Sequence, residues 1–329
     1  MALAETASDF NNSPISWNTI VEAHQRVRPR IHRTPVLSSE SLNGLAGALL
    51  FFKCENLQKT GSFKIRGATN AILSLSEEEA RRGVVTHSSG NHAAAVACAA
   101  RWREIEAFIV MPKNAPAVKC RAVEHYGGKI TFCEPNVKAR AETAAKIQAE
   151  TGAVMVHPYD DDRIIAGQAT AAKELLEEVP ELHAVLAPVS GGGLLSGTCL
   201  GAKGTRGNAR VYGCEPERAD DAYRSLTSGK LQALETSDTI ADGLRASLAP
   251  RTFAILQKHV DGILLVSEEE IVATMRLVWE RMKIVIEPSS AVAVAPLLRS
   301  SGRTEIGMGG VSQPRIGIIL SGGNVELKV

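Results

Sequence analysis

The stretch Ala184-Val185-Leu186-Ala187-Pro188-Val189-Ser190-Gly191-Gly192-Gly193-Leu194-Leu195-Ser196-Gly197 decides how this chain is read. An apolar run of strand length passes directly into consecutive glycines and then into a segment of helical spacing. Strand, glycine turn and helix in succession open a parallel crossover unit. Glycines there let main-chain N–H groups converge at a helix N-terminus, where the dipole favours an anion such as phosphate. No Gly-Lys-Ser/Thr follows, so this is not a nucleotide P-loop, and Ser196 stands where the dinucleotide fingerprint needs its last glycine. A bare glycine turn and a cradle for the phosphate of some other cofactor both stay open at this point.

Outward from the turn, short Val- and Ile-rich runs alternate with longer Ala-rich segments of helical period. Strands are expected at 49–53, 84–87, 107–111, 129–133, 154–157, 184–188, 211–214 and 316–320, with helices between them, which makes the fold class α/β with parallel sheets. Ser76-Glu77-Glu78-Glu79 has the capping-box pattern of a helix start and marks a domain edge. The segment from Gly83 to Asp160 then reads as a compact βαβαβαβ unit. This predicts a small mobile lobe over 77–160 and a larger lobe from 1–76 and 161–329, with the ligand site in the cleft between two open, twisted α/β layers.

The 329 residues suit roughly two domains of about 150. Lys and Arg total 37 against 36 Asp and Glu, a formal charge of +1 that argues against a nucleic-acid or acidic-membrane partner and for a small ligand. Cys54, Cys98, Cys120, Cys133, Cys199 and Cys214 form no C-x-x-C pair and no zinc pattern, so they are expected as buried thiols of a reducing, cytoplasmic compartment. No run approaches the ~18 apolar residues of a membrane span, and the polar start from Met1 to Ser16 lacks arginine and does not read as a targeting signal.

Three further stretches carry chemistry. In Lys59-Thr60-Gly61-Ser62-Phe63-Lys64-Ile65-Arg66-Gly67-Ala68, Lys64 is expected one turn into a helix beginning near Ser62. A lysine there faces the positive end of the dipole, which disfavours its ammonium form and frees the amine as nucleophile or base. Thr86-His87-Ser88-Ser89-Gly90-Asn91-His92 sits at a strand-to-helix turn, and Leu320-Ser321-Gly322-Gly323-Asn324 follows the last strand. Each alone also reads as turn and capping chemistry.

Together with H-P-Y-D-D-D-R-I-I-A-G-Q, E-P-E-R-A-D-D-A, I-A-D-G-L-R-A-S-L and I-E-P-S, all in order between about Ser16 and Leu327, these motifs make the chain resemble the fold-type II pyridoxal phosphate enzymes. Within them it is similar to the group of amino-acid racemases and serine/threonine dehydratases. The resemblance implies that Lys64 holds pyridoxal 5′-phosphate as a Schiff base and serves as the acid/base on one face of the substrate Cα. It implies that Ser190, Gly191, Gly192, Gly193 and Leu194 cradle the phosphate, that Phe63 packs on the ring, that Asn91 reaches the ring hydroxyl, and that Gly243 and Glu287 line the pocket. Ser321 would face the pyridine nitrogen, where a hydroxyl leaves a weaker electron sink than a carboxylate and favours racemisation and β-elimination over transamination. Racemisation needs a second proton-transfer group on the opposite face, and the resemblance gives that role to Ser89. Ser88, Ser89, Asn91, His92 and Arg140 would hold the substrate.

The implied activity is interconversion of L- and D-serine with elimination to pyruvate and ammonia; the alternatives are a threonine, serine or 3-hydroxyaspartate dehydratase and a non-catalytic cofactor-binding regulator. Glu215, Ala219 and Asp221 offer oxygen ligands that suit Mg²⁺, Ca²⁺ or Mn²⁺, or else form an ordinary solvated acidic loop; the resemblance implies a structural cation held by both carboxylates and the Ala219 carbonyl. It further implies a homodimer and a possible nucleotide effector. Trp279 and Met282 are expected in the core, His24, His125 and His259 as surface or structurally satisfied histidines, and Asp160-Asp161-Asp162 as a solvated loop.

Overall fold

A computed structural model describes residues 14–88, 90–115, 117–205 and 208–327, so Ser89, expected as the second proton-transfer group, lies outside the described residues. The described residues carry ten strands: β1 Val36–Leu37, β2 Leu49–Cys54, β3 Val84–His87, β4 Ala107–Pro112, β5 Lys129–Cys133, β6 Val154–Met155, β7 Ala184–Pro188, β8 Arg210–Pro216, β9 Gly262–Val266 and β10 Arg315–Leu320. They form a six-stranded sheet in the order β1-β2-β10-β7-β8-β9 and a four-stranded sheet in the order β5-β4-β3-β6. Every pairing is parallel except β1 with β2. The α/β class is therefore as expected, and β3 to β6 of the smaller sheet fall within 84–155.

Parallel strands buried on both faces need continuous apolar runs, and β7 is buried at every position. Two strands escaped the sequence reading: β1, which is only two residues long, and β9, the Gly-Ile-Leu-Leu-Val run after Asp261. The strand expected at 154–157 stops at Met155, because the chain turns at His157.

The helix Lys64–Leu73 is buried from Ile65 to Ile72 between the helices Asn91–Trp102 and Asp162–Glu178. A Cβ at Gly167 would lie 2.6 Å from the Gly67 Cα, so close packing of these two helices requires glycine at both positions. Ser62 is not helical. It is held extended by a bridge to Gly322, which delays the helix to Lys64 and puts that lysine at the first helical position rather than one turn in. The acidic triplet also departs from a solvated loop. Asp161 caps the helix Asp162–Glu178 and binds Arg163, while Arg251 reaches Asp160 at 3.2 Å and Asp162 at 3.1 Å. Five of the six cysteines are buried free thiols and Cys120 is half-buried. Trp279 and Met282 pack on the edge of the main core. His24 is satisfied by Glu174 at 3.3 Å.

Candidate active site

The carboxyl ends of β3, β7 and β10 deliver the residues singled out above: His87 and Ser88, the glycine turn, and Ser321. The turn from Ser190 to Gly193 is built for close approach. Gly192 has φ +89°, and a Cβ there would strike Thr252 at 2.6 Å; one on Gly191 would strike the Tyr159 ring at 2.4 Å. Ser190 Oγ donates to the Ala246 carbonyl at 3.1 Å and accepts from the Ala246 N–H at 3.0 Å, and Thr252 Oγ1 donates to the Gly191 carbonyl at 2.9 Å. The turn is thus braced from both sides. The following helix, Gly193–Gly204, has no side-chain cap, so its first N–H groups are available to an anion.

Lys64 is half-buried, and its Nζ donates to the Pro158 carbonyl at 2.9 Å. Loss of hydration moves this amine from 10.5 down to about 8, against the pull of the Glu287 charge. The Phe63 ring centroid is 5.1 Å from the same nitrogen. Glu287 is buried, and desolvation raises its carboxyl to about 7 although Asn91 and Asn324 donate to it. Asn91 Nδ2 reaches both Glu287 oxygens, at 2.9 and 3.2 Å, and Asn91 Oδ1 accepts from Asn324 Nδ2 at 2.9 Å. That double commitment fixes the Asn91 amide. Ser321 Oγ lies 3.1 Å from Ser290 Oγ in the interior, and the Gly243 N–H donates to Ser289 Oγ at 3.1 Å.

An uncapped helix start behind a glycine cradle, a lysine of lowered basicity and a buried hydroxyl and carboxyl fit pyridoxal 5′-phosphate, whose phosphate and aldehyde need these partners. The expected substrate contacts differ among themselves. Ser88 Oγ accepts from the Gly90 N–H at 3.3 Å, and Arg140 forms no ion pair among the described residues. The His92 ring is buried, with Nε2 3.1 Å from the Val156 carbonyl and Nδ1 without a partner among the described residues.

Away from this cleft, Glu215 and Asp221 are both buried. Desolvation raises Glu215 to about 9 and Asp221 to about 6, each pushed further by neighbouring acidic charge. Glu215 accepts from the N–H groups of Ala222 at 3.1 Å and Tyr223 at 2.9 Å, and Asp221 Oδ2 accepts from the Leu248 N–H at 2.9 Å. The loop is therefore not solvated. Among the described residues no third His, Cys, Asp or Glu joins the pair to make a metal cluster, so a cation here would take carbonyl or water oxygen as well. Hard oxygen donors with uncompensated charge fit Mg²⁺ or Ca²⁺.

A family model described as "Pyridoxal-phosphate dependent enzyme" matches residues 27–322, and the chain belongs to that family. At the level of individual proteins, it is 50% identical to a serine racemase of Arabidopsis thaliana over 94% of this chain and 93% of that one. It is 48% identical to a beta-hydroxyaspartate dehydratase of Paracoccus denitrificans, over 95% of this chain and 97% of that one. The crystal structure of a serine racemase from Dictyostelium discoideum superimposes with a TM-score of 0.90 at 48% identity, covering 96% of this chain and all 100% of that one. The fold-type II reading of the sequence agrees with these likenesses.

Sequence reasoning missed several residues that shape the cleft. Asn324 belongs to the quoted motif L-S-G-G-N and Ser290 directly follows I-E-P-S, so neighbouring motifs were the available signal. His157, Pro158 and Tyr159 lie in H-P-Y-D-D-D, where Tyr159 covers the glycine turn and Pro158 meets Lys64. Thr252 carried no local signal.

Proposed function

We propose that this protein is a pyridoxal-phosphate-dependent racemase that interconverts L- and D-serine and also eliminates water from serine to give pyruvate and ammonia. The observation that carries the reading is Lys64, an amine shifted to about 8 and aimed into a cleft that also holds the glycine cradle, Asn91, Glu287 and Ser321. Bound in that cleft, the cofactor supplies an electron sink for the pair left on the substrate Cα.

The chain's own residues do the rest. Ser190 to Leu194 hold the phosphate with main-chain N–H groups, and Ser321 presents a hydroxyl, not a charge, to the ring nitrogen. Lys64, half neutral near pH 8, removes a proton from one face of Cα; Ser89 exchanges one on the other. Arg140 and the 88–92 turn take the substrate carboxylate. Movement of lobe 77–160 toward the large lobe excludes water. Glu215, Asp221 and the Ala219 carbonyl hold a structural Mg²⁺, Ca²⁺ or Mn²⁺. On the resemblance alone the proposal includes a cytoplasmic homodimer open to a nucleotide effector.

A second reading, dehydration of a 3-hydroxyaspartate, is favoured by the Paracoccus likeness and by Arg140, a guanidinium free of ion pairs among the described residues and able to take a second carboxylate. Incubation of the loaded protein with L-serine, followed by chiral chromatography and a pyruvate assay, separates the two. D-serine with pyruvate is expected. Turnover of 3-hydroxyaspartate with no D-serine formed from serine would replace the first reading by the second. Ser89→Ala is expected to abolish D-serine formation while sparing part of the elimination.

A further inference from the structure

The contact between Lys64 Nζ and the Pro158 carbonyl depends on a turn that one side chain makes. His157 Nδ1 accepts from the Asp160 N–H at 2.8 Å and from the Tyr159 N–H at 3.4 Å. These two donors close a tight loop over 157–160, with the imidazole in the place a carbonyl takes in an ordinary turn. Accepting at Nδ1 fixes the neutral tautomer with its proton on Nε2. The plane of the 158–159 peptide follows from the loop, and with it the direction of the Pro158 carbonyl. That peptide's N–H points to His157 while its C=O points to Lys64. The ring itself is held edge-on between His87, at 5.8 Å, and Tyr159, at 4.7 Å.

We propose that His157 is a positioning residue for Lys64: by capping the 157–160 turn it aims the Pro158 carbonyl at Nζ and so sets where the amine stands when it is free of the cofactor. The inference rests on the reading of Lys64 as the cofactor lysine and acid/base. Its consequence is geometric, since a proton-transfer group displaced by about 1 Å can lose on the order of 100-fold in rate. The amine does not find this position by packing alone, because a half-buried four-carbon side chain has many rotamers and the carbonyl is its one hydrogen-bond acceptor among the described residues.

The test compares two substitutions in the cofactor-loaded enzyme. His157→Asn loses the ring but keeps a side-chain oxygen able to accept from the same N–H groups; His157→Phe keeps a ring between His87 and Tyr159 but cannot accept. Serine turnover, KM, visible cofactor absorbance and melting temperature are measured for both. We expect His157→Phe to lose about 10–100-fold in kcat with KM little changed, and His157→Asn to keep most of kcat. The reverse order, or equal loss in both, would show that the ring acts by packing and would overturn the proposal; so would full activity in His157→Phe. Visible cofactor absorbance persisting in Lys64→Ala would instead defeat the reading of Lys64 on which the proposal rests.

Discussion

Two groups of carboxylates are buried to the same degree in this molecule and have opposite electrostatic fates. Beneath the helix that carries Lys64, Glu55 and Glu174 meet Arg66 and Lys53. The Arg66 guanidinium uses all its donors: Nε and Nη2 reach Glu55 at 2.7 and 2.8 Å, Nη1 and Nη2 reach Glu174 at 2.9 and 2.8 Å, and Nη1 also reaches Thr170 at 3.1 Å. Lys53 adds 2.7 Å to Glu174, and Thr34 adds 2.6 Å to Glu55. Burial alone would raise the Glu174 carboxyl, but His24, Arg66 and Lys53 hold it far below its ordinary range. At the end of β8 and just beyond it, Glu215 and Asp221 have backbone donors but no ion pair among the described residues, and both are pushed up. A completed charge network is architecture, whereas an uncompensated one is a place that binding of a cation would complete.

The largest expected effect comes from breaking the completed network. Arg66→Met leaves Glu55 without a cationic partner and Glu174 with only Lys53 and His24, and is expected to cost about 3–5 kcal/mol in urea denaturation. A loss below about 1 kcal/mol would mean that the network is less dry than its geometry indicates. The unpaired group should respond with the opposite sign. Asp221→Asn in cation-free protein at pH 8 removes a disfavoured charge while keeping an oxygen for the Leu248 N–H, and is expected to stabilise by about 1 kcal/mol.

Adding the missing charge sharpens the contrast further. Mg²⁺ at about 100 times its dissociation constant is expected to stabilise the wild type by about 2.7 kcal/mol and to leave Asp221→Asn nearly unmoved. The same ion should not change the cost of Arg66→Met, since the two clusters share no partner. Equal stabilisation of wild type and Asp221→Asn by Mg²⁺ would place the cation elsewhere. The shared segment 246–248 also connects the acidic pair to the glycine turn, because Leu248 donates to Asp221 and Ala246 pairs with Ser190.

The difference between these regions also explains what could be read in advance. Glu215 and Asp221 lie six residues apart in one motif, and Lys64, Glu287 and Ser321 lie in motifs of their own, so local sequence exposed them. Strand alternation and the glycine turn likewise made the α/β class legible. The completed network was invisible because its members are brought together by the fold: Lys53 and Glu174 are 121 residues apart, and Arg66 and Glu174 are 108. Arg66 stood inside a quoted stretch, yet no periodicity distinguishes a fully buried arginine from an exposed one. The same holds for Ser290 against Ser321 and for Pro158 against Lys64, contacts of 31 and 94 residues in separation. The start of the helix at Lys64 escaped for a related reason, since Ser62 is kept extended by Gly322 from the far end of the chain.

The smallest effect separates the two clusters by pH. Glu215 moves from 4.5 in its ordinary range to about 9 in the folded protein, so between those values the folded state keeps a proton that the unfolded state has released. Stability of the cation-free protein must then fall as pH rises through that window, by at most about 1.4 kcal/mol per unit for one proton. Glu174 works the other way: its lowered carboxyl stabilises above its ordinary value of 4.5 and loses that contribution only in acid. Asp221, raised to about 6, has ionised by pH 7; Glu287, raised to about 7, is half ionised there and adds to the slope, while Lys64, lowered to about 8, opposes it, and these last two contributions cancel between wild type and Glu215→Gln. Subtracting Glu215→Gln from wild type over pH 7 to 8 therefore isolates Glu215 in about a single unit, with an expected slope of about 1 kcal/mol. Saturating Mg²⁺ should flatten the slope, because the ion takes the place of the proton, and an unchanged slope in Mg²⁺ would show that Glu215 is not one of its ligands.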